Sequence, residues 1–200
     1  MNNEPQSTAV TIGEVRLSYA NIWEPRAQEG GGEPKYSCAL LFAKNDAKIV
    51  AQVQAAISAA MAQGKAKFGN TWKPGPTKTG VRDGDTEREG DETYKGMFFI
   101  NANNKQQPGI FNRQRQPVID QNEVYSGCYA YVSVNFFPYK HPTGGNGIGV
   151  GLNHIMKVKD GEPLSARVTA DEAFKGIDFG TDAAATPAAT NGMFGGIFGA

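Results

Sequence analysis

The chain has 200 residues, with 20 Lys and Arg against 20 Asp and Glu and a formal net charge of zero. That length is one domain with room for a small extra element or a tail, and it buries a core without needing disulfides or metals. The balance excludes a histone-like cationic binder but leaves local charge segregation open. No apolar run approaches the roughly 20 residues of a membrane span, and no basic-then-apolar leader opens the chain, so the sequence reads as cytoplasmic with no membrane partner.

Residues 1–7 (MNNEPQS) carry no pattern and read as a disordered start. From Val10 to Tyr19 the chain alternates, with Val15, Leu17 and Tyr19 on one side and Glu14, Arg16 and Ser18 on the other, which is a half-buried strand. Glu24 to Pro34 holds Pro25, Gly30, Gly31, Gly32 and Pro34 and reads as a flexible turn. Tyr36 to Phe42 is nearly all apolar, as in a strand covered on both faces. At Asp46 the period changes. Asp46 is an N-cap, Ile49, Val50, Val53, Ile57 and Met61 recur at helical spacing, and Gly64 is the expected stop.

Lys65 to Glu92 is rich in Gly and Pro and divides by charge: Lys65, Lys67, Lys73, Lys78 and Arg82 come first, then Asp83, Asp85, Glu87, Glu89, Asp91 and Glu92. Three β-rich stretches follow at Tyr94–Asn101, Gly127–Tyr139 and Ile148–Val158, with a short hairpin around Gly109–Ile119. After Phe179 only Ala, Thr, Gly and Pro dominate, so residues 180–200 read as a disordered tail behind a domain spanning 8–179. Several strands and one helix predict a mainly β fold, a small β-barrel with an inserted helix; an OB-fold fits the count, as do other small barrels. Cys38 and Cys128 sit in apolar strands and read as buried free thiols.

The segment GCYAYVSVNFFPYKH (127–141) carries the functional signal. Period-two alternation puts Cys128, Ala130, Val132, Val134 and Phe136 on a core face, and Tyr129, Tyr131, Ser133, Asn135, Phe137 and Tyr139 on the other. Nucleobases stack on aromatic rings whatever their identity, at ~1–3 kcal/mol each. A second reading stays open, in which the helix or the 65–92 excursion covers these rings. Local charge favours the first. Lys95, Lys105, Arg113, Arg115, Lys140, Lys157 and Lys159 meet only Asp120 and Glu123 between Tyr94 and Lys159. With Lys65–Arg82 this makes a cationic middle third, interleaved with Trp72, Phe111, Tyr125, Tyr129 and Tyr131, as a phosphate-tracking groove requires.

The runs YKGMFFINANNKQQPGIFN, VYSGCYAYVSVNFFPY and GIGVGLNHIMKVKDGEPL closely resemble the DUF2815 family, phage proteins related to the Enc34 single-stranded DNA-binding protein. The likeness runs from about Thr8 to Phe179. It implies an OB-fold and sequence-tolerant binding of single-stranded DNA during phage replication or recombination, in the host cytoplasm. The expected contacts are then Trp72, Phe111, Tyr129, Tyr131, Phe137 and Tyr139 for bases, and Lys65, Lys67, Lys73, Arg82, Lys105, Arg113, Arg115 and Lys140 for phosphates. Many single-strand binders end in an acidic, aromatic-closed tail that recruits partners. Here the end has only Asp178 and Asp182 as acids, yet Met193, Phe194, Ile197 and Phe198 offer a docking element for phage or host replication and recombination proteins.

Catalytic chemistry finds little support, and no cofactor is expected. His141 and His154 are far apart, and His154 falls on the apolar side of its strand with Ile148, Val150, Leu152 and Met156, as a core histidine. Asp83, Asp85 and Glu87 start like a calcium loop, but Arg88 stands where the turn needs glycine, leaving a solvated loop or one that fills the cationic groove. Gly144, Gly145, Gly147, Gly149 and Gly151 fit no phosphate-loop spacing and read as a turn feeding a strand with one smooth face. Two rival readings remain: a protein-interaction or virion-associated module, and a metal-dependent nuclease using Asp83, Asp85 and Asp91.

Overall fold

The structure, a computed structural model, describes residues 7–28 and 32–164. Its elements are β1 (Ala9–Gln28), β2 (Gly32–Ala43), α1 (Ala47–Phe68), β3 (Arg82–Asp83), α2 (Gly84–Glu87), β4 (Met97–Asn104), β5 (Gly109–Phe111), β6 (Tyr129–His141) and β7 (Gly145–Lys159). They form one sheet in the order β3-β4-β2-β1-β6-β7-β5, and a further pairing of Asn103 on β4 with Gly151 on β7 closes β4-β2-β1-β6-β7 into a barrel. This is the expected mainly β barrel with one long helix, of OB-fold class. Residues 1–6, Gly30 and Gly31, and the tail with Met193, Phe194, Ile197 and Phe198, each the subject of an expectation above, lie outside the described residues.

The barrel closes because its strands are apolar inward. On β6 Ala130, Val132, Val134 and Phe136 are fully buried, as the alternation predicts. β2 is buried on both faces: Cys38, Leu40 and Phe42 enter the main core, while Ala39 and Leu41 form a second cluster with Tyr94 and Phe99. Both cysteines are free and buried, and burial pushes the Cys38 thiol up. The Asp46 carboxylate accepts the Ile49 N–H at 3.0 Å and starts α1. Among the described residues no helix is long and apolar enough to cross a membrane.

Three expectations are corrected. The turn expected at 24–34 is mostly strand, because β1 and β2 stay paired out to Gln28 and Gly32. Gly64 does not stop α1; the helix runs on to Phe68, and Gly69 at φ 98° ends it. Gly64 is buried because the Trp72 ring lies on it, where any Cβ would overlap the indole. Tyr19 does not face the core with Val15 and Leu17. A register shift between Ser18 and Asn21, with Tyr19 at φ 47°, reverses the alternation, so that Ser18 is buried and Tyr19 is 55 % exposed.

Candidate nucleic-acid interface

The outward face of β6 is built on glycine. Tyr139 pairs with Gly147, Phe137 with Gly149 and Asn135 with Gly151 across the β6–β7 ladder, and each of these side chains lies against its glycine. Tyr131 lies in the same way over Gly13 of β1, where a Cβ would stand 2.6 Å from its Cδ1. With no side chain beneath, the rings lie down on the sheet and keep one face toward solvent. Phe137 is 43 % exposed, and Tyr129, Tyr131 and Tyr139 are half-buried. Neither α1 nor the 65–92 excursion covers Phe137. Gly144–Gly151 is, as expected, a turn feeding a strand with one smooth face.

A second rank stands beside the first. His154 was expected in the core, but the β6–β7 register slips between Ser133 and Val134, so the alternation of β7 reverses around Asn153. Ile155 takes the inward place, and His154 stands exposed opposite Ser133. Phe111 meets the imidazole edge-on, with centroids 6.0 Å apart and planes at 67°. His154 therefore belongs to this surface; only the bulge, which a strict alternation hides, distinguishes it from a core residue.

Cations border the rings unevenly. Lys140 follows Tyr139 and is exposed, and Lys78 donates to the Gly144 carbonyl at the tip of the same hairpin. Lys73 lies on the loop whose Gly75 N–H bonds the Asn146 carbonyl, at that tip. Arg113 and Arg115 are exposed on the turn beyond Phe111, where the Asn112 N–H bonds the Gln116 carbonyl. Lys65 and Lys67 sit exposed in the last turn of α1, with the Lys67 ammonium 5.3 Å from the Phe68 ring. At the other end of the strip cations stand over Tyr129: Lys159 at 4.6 Å and Arg16 at 6.0 Å from the ring centroid. Glu14 pairs with Lys159 at 2.6 Å and raises its pKa.

Two expected contacts are not brought to this surface, and a third, a cation, is already paired. Trp72 is 3 % exposed, packed between Gly64 and Phe68 with ring centroids 5.9 Å apart in the latter pair, so no base reaches its face. Arg82 pairs with Glu87 and lies 5.3 Å from the Phe99 ring, on the β3–β4 side of the sheet. Lys105 pairs with Glu33. The acid-rich stretch does not fill a cationic groove either. Asp83 and Asp85 converge on Lys44 Nζ at 2.5 and 2.7 Å, and the ammonium holds both carboxyls below the usual range.

A family model described as Enterobacter phage Enc34, ssDNA-binding protein, matches residues 8–185. Protein p50 of Acyrthosiphon pisum secondary endosymbiont phage 1 is 26 % identical over 165 residues, covering 78 % of this chain and 86 % of that protein. Among solved structures, the single-stranded DNA-binding protein from bacteriophage Enc34 in complex with ssDNA matches with a TM-score of 0.70 at 25 % identity, covering 82 % of this chain and 97 % of the other. The bacteriophage T7 single-stranded DNA-binding protein gp2.5 shares the fold, with a TM-score of 0.51 at 18 % identity over 80 % of this chain.

Proposed function

The chain belongs to the family of the Enterobacter phage Enc34 ssDNA-binding protein, and we propose that it binds single-stranded DNA along the outer face of β6 and β7, without covalent chemistry. The observation that carries this is the row of rings laid over glycines. Tyr139, Phe137 and Tyr131 present ring surface with no side chain beneath to tilt them edge-on. Bases stack there irrespective of sequence, and His154 with Phe111 extends the platform past the polar Ser133 and Asn135. Phosphates run between Lys140 and the Arg113–Arg115 turn, with Lys73, Lys67 and Lys65 beyond the hairpin tip. Affinity then comes largely from counterions released at these cations. A non-enzymatic role fits, because Asp83 and Asp85 are engaged by Lys44 rather than grouped around an open position.

The biological setting in this reading is phage replication or recombination inside the host. Residues 8–179 are the binding domain, and 180–200 is the element that recruits replication or recombination proteins. Truncation at Thr181 would then remove partner capture and leave DNA binding in place.

Fluorescence anisotropy of a dye-labelled oligo-dT, against a duplex of the same length at two salt concentrations, tests the surface. The strand binds more tightly than the duplex and weakens with salt. The double variant Phe137→Ala/Tyr139→Ala loses two stacking partners, on the order of 100-fold in Kd at ~1–3 kcal/mol each. Unchanged affinity in that variant, with its melting temperature retained, would overturn the reading. Trp72 is too buried for its emission to report the binding.

A further inference from the structure

We propose that the hollow beside Tyr19 is a second base-binding site, which takes one nucleobase of a bound single strand against the Tyr19 ring. This rests on the β6–β7 reading and extends it across β1. The first observation is conformational. Tyr19 holds φ at 47°, which glycine adopts freely and an aromatic residue adopts at a cost. The kink turns the ring outward to 55 % exposure, and Arg88 bridges it to Tyr94, its guanidinium 5.2 Å from one ring and 5.4 Å from the other. The kinked backbone holds this ring toward solvent with Arg88 as its support, the posture of a ring set to clamp a ligand.

The second observation is the space the ring overlooks. A hollow of about 310 Å³ lies between Tyr19, Tyr94 and Leu164, with Ser18, Thr93 and Ser126 as polar wall groups. Its floor is fixed. The Tyr94 hydroxyl donates to Ser18 Oγ at 3.0 Å, the Ala20 N–H to Ser126 Oγ at 2.9 Å, and the Leu164 N–H to the Ser126 carbonyl at 2.8 Å. The volume is at the small end for a ligand pocket and suits a single planar ring. Asp91 also lines it and repels phosphate, so an uncharged base enters while the strand's backbone stays outside. Position supplies the third observation. Ser18 lies two residues beyond Arg16, whose guanidinium stands by Tyr129, and Ser126 lies three before Tyr129. The hollow therefore adjoins the end of the β6 strip, where a strand passing along the rings arrives.

The test uses the full chain with a 5-iodouracil-substituted oligo-dT, photocrosslinked and mapped by mass spectrometry, beside anisotropy titrations of Tyr19→Gly, Tyr19→Phe and Phe137→Ala. The expected results are an adduct on Tyr19, wild-type affinity in Tyr19→Phe, and affinity on the order of tenfold weaker in Tyr19→Gly. Glycine relieves the backbone, so Tyr19→Gly melts no lower than wild type; replacing a purely structural tyrosine would instead lower the melting temperature and leave binding by the folded protein unchanged. Absence of the adduct, with Tyr19→Gly binding normally while Phe137→Ala binds weakly, overturns this site and leaves the β6–β7 surface standing. Tighter binding by Tyr19→Gly also overturns it, since the hollow would then hold a competitor of the strand. Undiminished binding by Phe137→Ala counts instead against the strip itself.

Discussion

The outer wall of the barrel carries aromatic rings and cations twice, beside β2 and β4 and again along β6 and β7, and the two regions are finished in opposite ways. One transverse row crosses both: Arg82 pairs with Phe99, Phe99 with Leu41, Leu41 with Arg16, Arg16 with Tyr129 and Tyr129 with Lys159. On the β2–β4 side the row is roofed. Leu41 and Phe99 are buried with Tyr94, Glu87 pairs with Arg82, and Lys44 ties down Asp83 and Asp85. On the β6–β7 side the rings rest on glycine and face water, and neither Lys140, Arg113 nor Arg115 makes an ion pair among the described residues. Residue type alone therefore does not make a binding surface. What separates the two is whether each ring and each charge already has its partner within the fold.

The sharpest separation is between stability and affinity. Phe99 is fully buried and meets Tyr94 edge-on at 5.1 Å. Phe99→Ala should cost ~3–5 kcal/mol of unfolding free energy, read by urea titration, while the folded protein binds oligo-dT as before. Weakened binding at temperatures where the variant is fully folded would mean that binding also depends on the roofed side, directly or through Tyr94, which walls the hollow beside Tyr19. The open face predicts the reverse pattern for a change that removes no ring. A Cβ on Gly149 would stand 2.5 Å from Phe137 Cζ, the far end of a side chain free to swing away. Gly149→Ala should thus leave stability within about 1 kcal/mol and still weaken DNA binding several-fold, because Phe137 can no longer lie flat. Full affinity in Gly149→Ala would show that ring posture does not matter.

Much of this was legible in the sequence, and the exceptions share causes. The strict alternation of 128–137 placed Ala130, Val132, Val134 and Phe136 inward on β6, and Asp46 with the 3.6-residue period placed the start of α1. Tyr19 and His154 were misassigned because each sits at a register shift, where the reversal of faces follows from backbone geometry rather than composition. Trp72 and Gly64 were misread together. A ring and a glycine eight positions apart pack on each other, and neither alone announces that contact. Arg82 and Lys105 were legible as cations but not as paired ones, because Glu33 lies on β2 while Lys105 follows the end of β4, and Glu87 is brought back toward Arg82 by α2. The platform glycines 147, 149 and 151 were visible as a smooth face; that each carries an aromatic or Asn of β6 needed the register.

Charge pairing gives the smallest effect and the finest discrimination. A cation that meets a phosphate releases a condensed counterion, so its removal flattens the slope of log K against log salt by ~0.7 for a single strand. Arg115 is exposed and without an ion pair among the described residues, so Arg115→Gln should flatten the slope by about that amount, with little change in stability. Arg82 already has Glu87 as its counterion and stacks beside Phe99, so Arg82→Gln should leave the slope where it is. Titrations at four or more salt concentrations separate the two cases. An equal flattening in both variants would mean that the strand strips Glu87 from Arg82 on binding. The roofed face would then be a closed form of the same surface, not a structural wall.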